Sequence, residues 1–287
     1  MTSALTVSLT VRIFNPYRFA KSATQDATTQ QRADADALRV NKTLLPKPAL
    51  AGIKAVAGAA RTALYGRTTP YGDSRAISGL GFPTLREELA RYAGAFQREV
   101  AAFVAAYPGY VFEAQSRLGA TYNAADYPAA DTVGTLFDYT WRADVLPAAA
   151  TPALWRDLAT ADADALAAEV NAGQERERRE SARATWERLY DVALKMQERL
   201  TAYSATAAGT TGAFRDSLVS NVSDTVDALA GLNVFNDPAL QVMGERIRAD
   251  LCAHTPQTLR DDTAVRQATA ARSRELLAEM RALAGVE

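Results

Sequence analysis

The chain has 287 residues, of which 48% are hydrophobic and 23% are charged, and its formal net charge is −1. This composition is typical of a soluble globular protein, and the lack of any apolar run of 18 or more residues argues against a membrane span. Cys252 is the single cysteine, so an internal disulfide is excluded. With no signal-like segment at the N-terminus, we expect a reducing cytoplasm.

Charge is distributed unevenly along the chain. Residues 1–75 contain 11 Lys and Arg against 4 Asp and Glu, a balance of +7, whereas residues 76–287 contain 21 against 29, a balance of −8. A basic leading segment on an acidic body is typical of a nucleic-acid-binding face. It would equally suit a surface that docks on the acidic part of a neighbouring copy, and both interpretations stay open at this stage.

The first predicted element is a β-strand over residues 4–14, ended by Pro16. The apolar residues at its alternate positions are Leu5, Val7, Leu9, Val11 and Ile13. Polar residues take the other face, which is the period-two pattern of a half-buried strand. Because a lone strand leaves a row of backbone N–H and C=O groups unpaired, it must join another strand in this chain or in another copy.

Helices are predicted to follow this strand. Residues 66–75 are predicted to form a loop, because Gly, Pro and Asp punctuate them. Pro108 and Gly109 are predicted to end a helix. The helices predicted before the middle of the chain cover residues 23–44, 48–65, 85–107 and 110–119.

A second strand is predicted over residues 134–146. Phe137, Tyr139 and Trp141 alternate with the polar residues Asp138 and Thr140, again with a period of two. This aromatic side is more typical of a core than of a surface on which bases stack. Residues 154–158 form either a third short strand, which we favour, or the start of a helix. Antiparallel pairing of the two longer strands gives the predicted fold class, which is mainly α with a small antiparallel β-sheet (α+β).

Residues 160–202 predict one long central helix, in which Gly173 is the one position where a break is expected. The remaining chain predicts a C-terminal helical bundle. Asp237 followed by Pro238, and later Asp262, are the signals of helix starts within it. Two domains are therefore predicted: residues 1–150, a helical region with the small sheet, and residues 151–287, the long helix with the C-terminal helical bundle.

The predicted loop at residues 66–75 is the most distinctive local sequence. Arg67 and Arg75 would hold phosphate while Tyr71 stacks on a base. The alternative, which we favour for the loop taken alone, is a structured connector in which Asp73 caps a turn and pairs with Arg75.

No complete catalytic constellation is visible. Gly72-Asp73-Ser74 is similar to the serine block of a class of esterases, but the single histidine, His254, lacks that family's spacing to Asp250. Cys252 and His254 supply two ligands where a closed metal site needs four. Neither GxxxxGK[ST] nor GxGxxG occurs. Whether the chain is an enzyme is left open, with a non-enzyme favoured, and no cofactor or metal is predicted.

Short stretches of the chain occur in a characteristic order. They are Leu44-Leu45-Pro46, Arg61, residues 69–75 (TPYGDSR), residues 103–107 (FVAAY), Leu118-Gly119, residues 122–128 (YNAADYP) and residues 214–218 (FRDSL). Together they resemble a family of hypothetical proteins encoded by tailed bacteriophages and prophages. That family has no established activity, so the resemblance assigns no catalytic or binding residue. It implies a phage-encoded protein in the cytoplasm of an infected bacterial host, acting in phage DNA metabolism or host takeover.

The first functional hypothesis is a non-enzymatic, self-associating phage protein that binds nucleic acid, with single-stranded DNA as the expected ligand. It rests on the basic leading segment, the predicted loop at residues 66–75 and the exposed edge expected for the first strand. The predicted phosphate contacts are Arg12, Arg18, Lys21, Lys42, Lys47, Lys54, Arg67 and Arg75. The predicted stacking residues are Tyr17, Tyr65 and Tyr71.

The second hypothesis is a structural or adaptor protein. It would form a homo-oligomer or dock on a phage or host protein without binding nucleic acid. The edge of the sheet and the long helix would then carry the contacts.

Overall fold

A computed structural model of the chain describes residues 4–146, 157, 160–206 and 209–286. The strands are β1 (Ala4–Arg12), β2 (Tyr17–Phe19), β3 (Asn41–Thr43), β4 (Thr69–Tyr71), β5 (Ser74–Ser78), β6 (Asp138–Val145), β7 (Ser204–Thr206) and β8 (Gly209–Thr211). The helices are α1 (Lys21–Gln31), α2 (Ala51–Arg67), α3 (Phe82–Leu118), α4 (Thr160–Ala202), α5 (Ser217–Leu232), α6 (Pro238–Leu251), α7 (Pro256–Asp261) and α8 (Thr263–Ala284). Short 3₁₀ turns cover Lys47–Leu50, Gly119–Thr121, Ala124–Asp126 and Val133–Leu136.

The predicted fold class is confirmed: the described chain is mainly α, with a four-stranded antiparallel sheet in the order β4-β5-β1-β6. The two strands predicted from their period-two patterns are neighbours in this sheet. The backbone N–H of Leu146 donates to the carbonyl of Ala4 at 2.9 Å, and the Thr6 hydroxyl donates to the carbonyl of Asp144 at 3.4 Å. Strand pairs β2-β3 and β7-β8 form two further small sheets.

The first strand is an interior strand of the sheet, not an exposed edge. On the side away from β6, it pairs with β5 in a register that runs from Ala4↔Ser78 to Val7↔Arg75. Backbone groups in this part of β1 therefore have partners on both sides, and Val7 is 1% exposed. The expectation of an exposed edge is therefore wrong for residues 4–7 of β1, and β4 and β6 are the outer strands of the sheet.

Residues 66–75 form a helix end and a hairpin rather than a loop. Helix α2 continues to Arg67, and β4 then pairs with β5 in a register that runs from Thr69↔Ala76 to Tyr71↔Ser74. Gly72 in the turn has φ +51°, a backbone conformation that tight hairpin turns require and that glycine adopts without strain. A three-residue strand such as β4 is too short for a sequence period to reveal it.

The chain divides into two compact units, which are described separately. Unit 1 combines Met1–Ser8, Leu64–Arg86 and Arg142–Glu287, and unit 2 combines Leu9–Ala63 and Glu87–Trp141. The predicted domain boundary at residue 150 and the predicted strand at residues 154–158 lie outside the described residues, apart from Asp157. Both stay predictions.

Unit 1 is built on the second half of α4. The C-terminal helices α5, α6 and α8 pack against it, and α7 packs against α8. The apolar stripe of α4, with Leu189 and Met196 fully buried, contacts buried residues of α6 and α8 such as Ile247 and Met280. Helix α4 is continuous through Gly173, because one glycine costs a helix only about 1 kcal/mol and its neighbours Gln, Glu and Arg favour helix.

Two predicted helix starts in unit 1 are confirmed with their caps. The Asp237 carboxylate accepts a hydrogen bond from the backbone N–H of Ala239 at 2.9 Å, with Pro238 at the first helical position of α6. The Asp262 carboxylate caps α8 by accepting from the N–H of Ala264 at 2.8 Å. Each cap satisfies N–H groups that the first helical turn leaves without a partner.

Unit 2 has its own core, in which α2 and α3 are the main helices. Phe103 of α3 lies at its centre, with the ring of Phe137 5.2 Å away between centroids and that of Tyr107 5.6 Å away. Phe137 and Tyr139 belong to this core, which agrees with the interpretation of that aromatic side as core. The Tyr139 hydroxyl donates to the carbonyl of Leu89 at 3.2 Å.

Helix α3 runs through Pro108, so the predicted helix end there and the separate helix at residues 110–119 are both wrong. An interior proline costs a helix about 3 kcal/mol. Burial of one large apolar side chain contributes about 1.5–3 kcal/mol. Phe103 and Tyr107 on one side of the proline and Ala114 on the other are all buried, so packing outweighs the cost.

The predicted helix at residues 23–44 is shorter in the structure. Helix α1 ends at Gln31, Arg32 follows with φ 52°, and the chain returns to form β3 beside β2. Residues 23–31 are polar and supply a single buried side chain, Thr24, so little packing extends the helix. The Thr24 hydroxyl accepts from the N–H of Val40 at 3.0 Å and so holds the returning segment.

A close backbone approach in unit 1 gives a test of the fold. A Cβ on Gly81 would lie 2.5 Å from the Cα of Gly231 in α5, where no flexible side chain can give way. We expect Gly81→Ala to lower the free energy of unfolding by about 1–3 kcal/mol. Urea denaturation measures the change.

The matched control for this substitution is Gly58→Ala. Gly58 lies on the exposed side of α2, with no atom near the position of a Cβ. Since alanine favours helix over glycine, we expect Gly58→Ala to stabilise the protein by about 0.5–1 kcal/mol. Equal effects of the two substitutions would contradict the close packing of Gly81 against α5.

Two core tyrosines of unit 2 predict a loss of stability at high pH. Burial raises the pKa of Tyr107 and of Tyr139 to about 12 in each case, with nearby tyrosines adding to the shift. In the unfolded chain, tyrosine hydroxyls have a pKa near 10. Because the folded pKa is the higher one, the stabilisation is complete below pH 10 and is lost as the pH rises towards 12.

Urea denaturation at increasing pH, with phenolate absorbance followed in parallel, measures this effect. We expect the free energy of unfolding to fall over that range and the fall to be smaller in Tyr139→Phe. A pH-independent free energy of unfolding between pH 10 and 12 would be inconsistent with buried, neutral hydroxyls at these positions.

Candidate nucleic-acid interface

The residues predicted to bind nucleic acid fall into two groups. Unit 2 contains Arg12, Tyr17, Arg18, Lys21, Lys42, Lys47 and Lys54. Unit 1 contains Tyr65, Arg67, Tyr71 and Arg75. Each group is described within its own unit.

The unit 2 group centres on the strand pair β2-β3. Its register is Tyr17↔Thr43, Arg18↔Lys42 and Phe19↔Asn41. The turn before β2 is fixed by Asn15, whose side-chain oxygen accepts from the N–H of Tyr17 at 3.0 Å. The pair is thus short but held in place by side-chain and backbone hydrogen bonds.

One side of β2 exposes two aromatic rings. Tyr17 is 53% exposed and Phe19 is 47% exposed, although both are large hydrophobic residues. Side chains two positions apart on a strand point to the same side and lie roughly 7 Å apart. The Arg39 guanidinium lies 5.1 Å from the centroid of the Phe19 ring, and Lys21 begins α1 immediately after β2. We call Tyr17, Phe19, Lys21 and Arg39 the aromatic–basic surface.

The other side of the strand pair carries two cations that the fold already uses. Arg18 donates to the carbonyls of Asn15 at 3.2 Å and Tyr17 at 3.0 Å. Lys42 lies opposite Arg18, which would be unfavourable for two like charges, but its ammonium contacts the Asp126 carboxylate at 2.6 Å. Lys42 is therefore neutralised and largely buried. These two predicted phosphate contacts stabilise the fold instead of facing solvent freely.

Arg12 is likewise tied to the fold of unit 2. Although the residue is exposed, one of its guanidinium nitrogens donates to the carbonyl of Thr135 at 3.1 Å. Its remaining N–H groups are available to a ligand.

Helix α2 and the turn before it carry a row of exposed cations, Lys47, Lys54 and Arg61. They are seven residues apart, so they lie on one side of the helix at intervals of about 10 Å. The opposite side of the helix is buried, as Ile53 and Ala57 illustrate. No residue of α2 is acidic. We call Lys47, Lys54 and Arg61 the basic row.

An acidic side chain does reach the start of α2. Glu99 of α3 contacts Gly52 in the first helical turn, where a side chain at position 52 would meet its carboxylate. A negative charge there is favourable, because the N-terminal end of a helix carries partial positive charge.

The unit 1 group lies around the hairpin β4-β5. Arg75 is half-buried: its Nε donates to the Thr68 hydroxyl at 2.6 Å and its guanidinium lies 4.6 Å from the centroid of the Tyr65 ring. Arg75 thus bonds to Thr68, and the expected pairing with Asp73 does not occur among the ion pairs of the described residues. Tyr65 itself is 51% exposed.

Tyr71 faces inwards rather than towards solvent. Its ring centroid lies 6.4 Å from that of Phe235. Burial raises the pKa of the Tyr71 hydroxyl, Arg178 lowers it and Glu177 raises it further. Stacking of Tyr71 on a nucleobase, as predicted from the sequence, would require this contact with Phe235 to open.

Sequence reasoning missed three exposed residues of these surfaces: Phe19, Arg39 and Arg61. Phe19 follows Tyr17 by two positions, which is a short strand signal directly after Pro16, where the first predicted strand ends. Arg61 continues the seven-residue spacing of Lys47 and Lys54, which the sequence displays. Arg39 reaches Phe19 through the return of the chain after α1, for which the sequence offers no signal.

Neither metal binding nor a membrane-spanning helix is indicated by the described residues. No three His, Cys, Asp or Glu side chains in them are grouped so as to hold a metal ion. Cys252 is half-buried, and this burial raises the pKa of its thiol. No helix within the described part of the chain has the length and apolar character to cross a bilayer.

Comparison with known proteins gives no assignment. No protein-family model matches the chain, and neither a curated protein nor a solved structure matches it.

Proposed function

We propose that this protein binds single-stranded nucleic acid without catalysing a reaction, and that DNA is its ligand. The observation that carries the proposal is the pair of exposed rings, Tyr17 and Phe19, with the Arg39 guanidinium beside Phe19. Exposed aromatics two positions apart on a strand offer consecutive stacking platforms. Only bases that have left a duplex can stack on them.

Charge supports the same ligand. The basic row offers contacts to successive phosphates, since Lys47 in the turn before α2 and Lys54 and Arg61 on the helix are all exposed. Lys21 adds a positive charge at the N-terminal end of α1, where the helix dipole is also positive and no acidic residue lies in the first turn. Both features favour an anionic partner over a neutral one.

The biological setting belongs to the proposal as well. The resemblance to proteins of tailed bacteriophages supports a role in phage DNA metabolism in the cytoplasm of an infected bacterium. Self-association of neighbouring copies on one DNA strand would suit such a role, but it cannot use residues 4–7 of β1, which pair with β5 on one side and lie beside β6 on the other.

The alternative function is a structural or adaptor protein that assembles without nucleic acid. The outer edge of β6, the last strand of the described sheet, supports it, because backbone groups on a strand edge are a template for another chain. Val145 at the end of β6 is 74% exposed. Light scattering separates the two functions: concentration-dependent assembly by a protein that fails to bind DNA would favour the alternative.

Removal of the two exposed rings tests the stacking role. Base–aromatic stacking contributes about 1–3 kcal/mol per base. We therefore expect Tyr17→Ala/Phe19→Ala to weaken binding of an oligothymidine at least about tenfold, as measured by fluorescence anisotropy. Phe112→Ala is the control, since Phe112 is a 76% exposed aromatic of unit 2 outside both surfaces. An unchanged affinity in the double variant would remove the aromatic–basic surface from the binding site.

Removal of the basic row tests the phosphate contacts. Each contact to a single strand contributes about 0.7 to the slope of log affinity against log salt. The triple variant Lys47→Gln/Lys54→Gln/Arg61→Gln should thus lower the magnitude of that slope by about 2, in the same anisotropy titration. Its matched control replaces three exposed cations of unit 1 by Gln, namely Lys195, Arg199 and Arg215. If the control lowers the slope equally, the effect is one of net charge and the basic row makes no specific contact.

A further inference from the structure

Two arginines in unit 1 line the same small cavity, where the C-terminal end of α2 meets the hairpin and α4. Arg75 comes from β5 and Arg188 from the middle of α4. The cavity measures about 110 Å³, against about 30 Å³ for one molecule of liquid water. Its lining includes Thr68, Thr69, Arg75, Thr185, Arg188 and Leu232. We call this cavity the arginine pocket.

Both guanidiniums are held by backbone carbonyls near the end of α2. Arg188 donates to the carbonyls of Tyr65 at 2.7 Å and Gly66 at 3.0 Å. Arg75 donates to the carbonyl of Thr68 at 2.7 Å in addition to the Thr68 hydroxyl. The contacts fix both planes without neutralising them, because a helix end supplies only about half of one negative charge.

The described residues supply no counter-ion for the positive charge of the arginine pocket. Among the described residues, no carboxylate forms an ion pair with either arginine. Burial lowers the pKa of both guanidiniums, and Arg188 lowers that of Arg75 further. Repulsion between the two guanidiniums is unfavourable, and a bound anion would relieve it.

The hydrogen-bond donors and acceptors that remain unused in the arginine pocket suit an oxyanion. A guanidinium has five N–H groups, and two are used in each arginine, so three remain on each. The hydroxyls of Thr69 and Thr185 donate to the carbonyl of Ser181, at 2.9 and 3.1 Å. Their protons are therefore occupied. The Thr69 oxygen already accepts from the Ser181 hydroxyl at 3.4 Å, but a hydroxyl oxygen has two lone pairs, so both threonine oxygens retain the capacity to accept a hydrogen bond from a protonated oxygen of a ligand.

We infer that the arginine pocket binds a phosphate group, either as free phosphate or as the terminal phosphate of a larger molecule. Two planar guanidiniums present paired donors to tetrahedral oxygens. The volume accommodates one such group. The threonine oxygens favour hydrogen phosphate, which retains a P–OH proton, over sulfate, which has none at neutral pH. The inference rests on unit 1 alone and does not depend on the proposed DNA binding.

Isothermal titration of the full chain with inorganic phosphate, at constant ionic strength, tests the inference. We expect one site per chain, and binding at least about tenfold weaker in Arg75→Lys and in Arg188→Lys, which keep the charge but lose the paired donors. Arg248→Lys is the control, since Arg248 already pairs with the exposed Asp227 carboxylate. Sulfate should bind more weakly than phosphate.

Results of two kinds would overturn the inference. One is no phosphate binding by the parent protein at millimolar concentration. The other is equal binding by the parent and by folded Arg75→Lys and Arg188→Lys proteins, with folding checked by circular dichroism. Should either variant fail to fold, Thr185→Val provides a second test, with a reduced preference for phosphate over sulfate as the expected result.

Competition identifies the source of the phosphate. If the natural ligand carries a terminal phosphate, a 5′-phosphorylated oligonucleotide displaces inorganic phosphate while its unphosphorylated form does not. If neither displaces it, free phosphate is the ligand. The Tyr17→Ala/Phe19→Ala protein should retain phosphate binding in both cases, so failure of the DNA proposal leaves this result intact.

Discussion

Backbone pairing on both sides of β1 is the constraint from which the sheet follows. The alternating pattern of this strand demands hydrogen-bond partners for its N–H and C=O groups. The chain supplies them from two distant segments, since β5 takes one side and β6 the other. The position of β5 also fixes that of β4, because a two-residue turn connects the two strands. It also fixes the end of α2, because α2 ends at Arg67, just before β4 begins. The surroundings of Arg75 are thus a consequence of where β5 pairs.

Sequence patterns that extend over many residues predicted the main elements. The two long strands and their pairing, the long helix α4 and the caps Asp237 and Asp262 all follow from periodicity or local hydrogen bonding. The elements that could not be predicted depend on contacts between distant residues. Helix α3 continues past Pro108 because side chains on both sides of it are buried, and a three-residue strand such as β2 contains too few positions to show a period.

Counting charged residues identified the basic leading segment. It could not distinguish the cations that are free to contact a ligand from those that already form ion pairs or hydrogen bonds within the fold. Lys42 is neutralised by Asp126, 84 positions later, and Arg18 is bonded to carbonyls of its own turn. Lys47, in the turn before α2, and Lys54, on α2, remain exposed. A count of charged residues in the sequence treats these four cations as equal. Only the hydrogen-bond partners show which charges a polyanion would meet, which is why the predicted set divides and why Arg61 belongs with the exposed members.

The contrast between Lys42 and the pair Arg75 and Arg188 bears on function. Both sites remove cations partly from water, which is unfavourable unless an opposite charge compensates. At Lys42 the fold supplies that charge as a carboxylate. At Arg75 and Arg188 it supplies backbone carbonyls, one hydroxyl and the face of the Tyr65 ring but no ion-pairing carboxylate among the described residues, although the chain contains 33 acidic residues. A carboxylate in the arginine pocket would fill the cavity and cancel its potential. Leaving the charge uncompensated keeps space and donors for an anion from solution, so the absence of an ion pair there is better explained by a ligand than by stability.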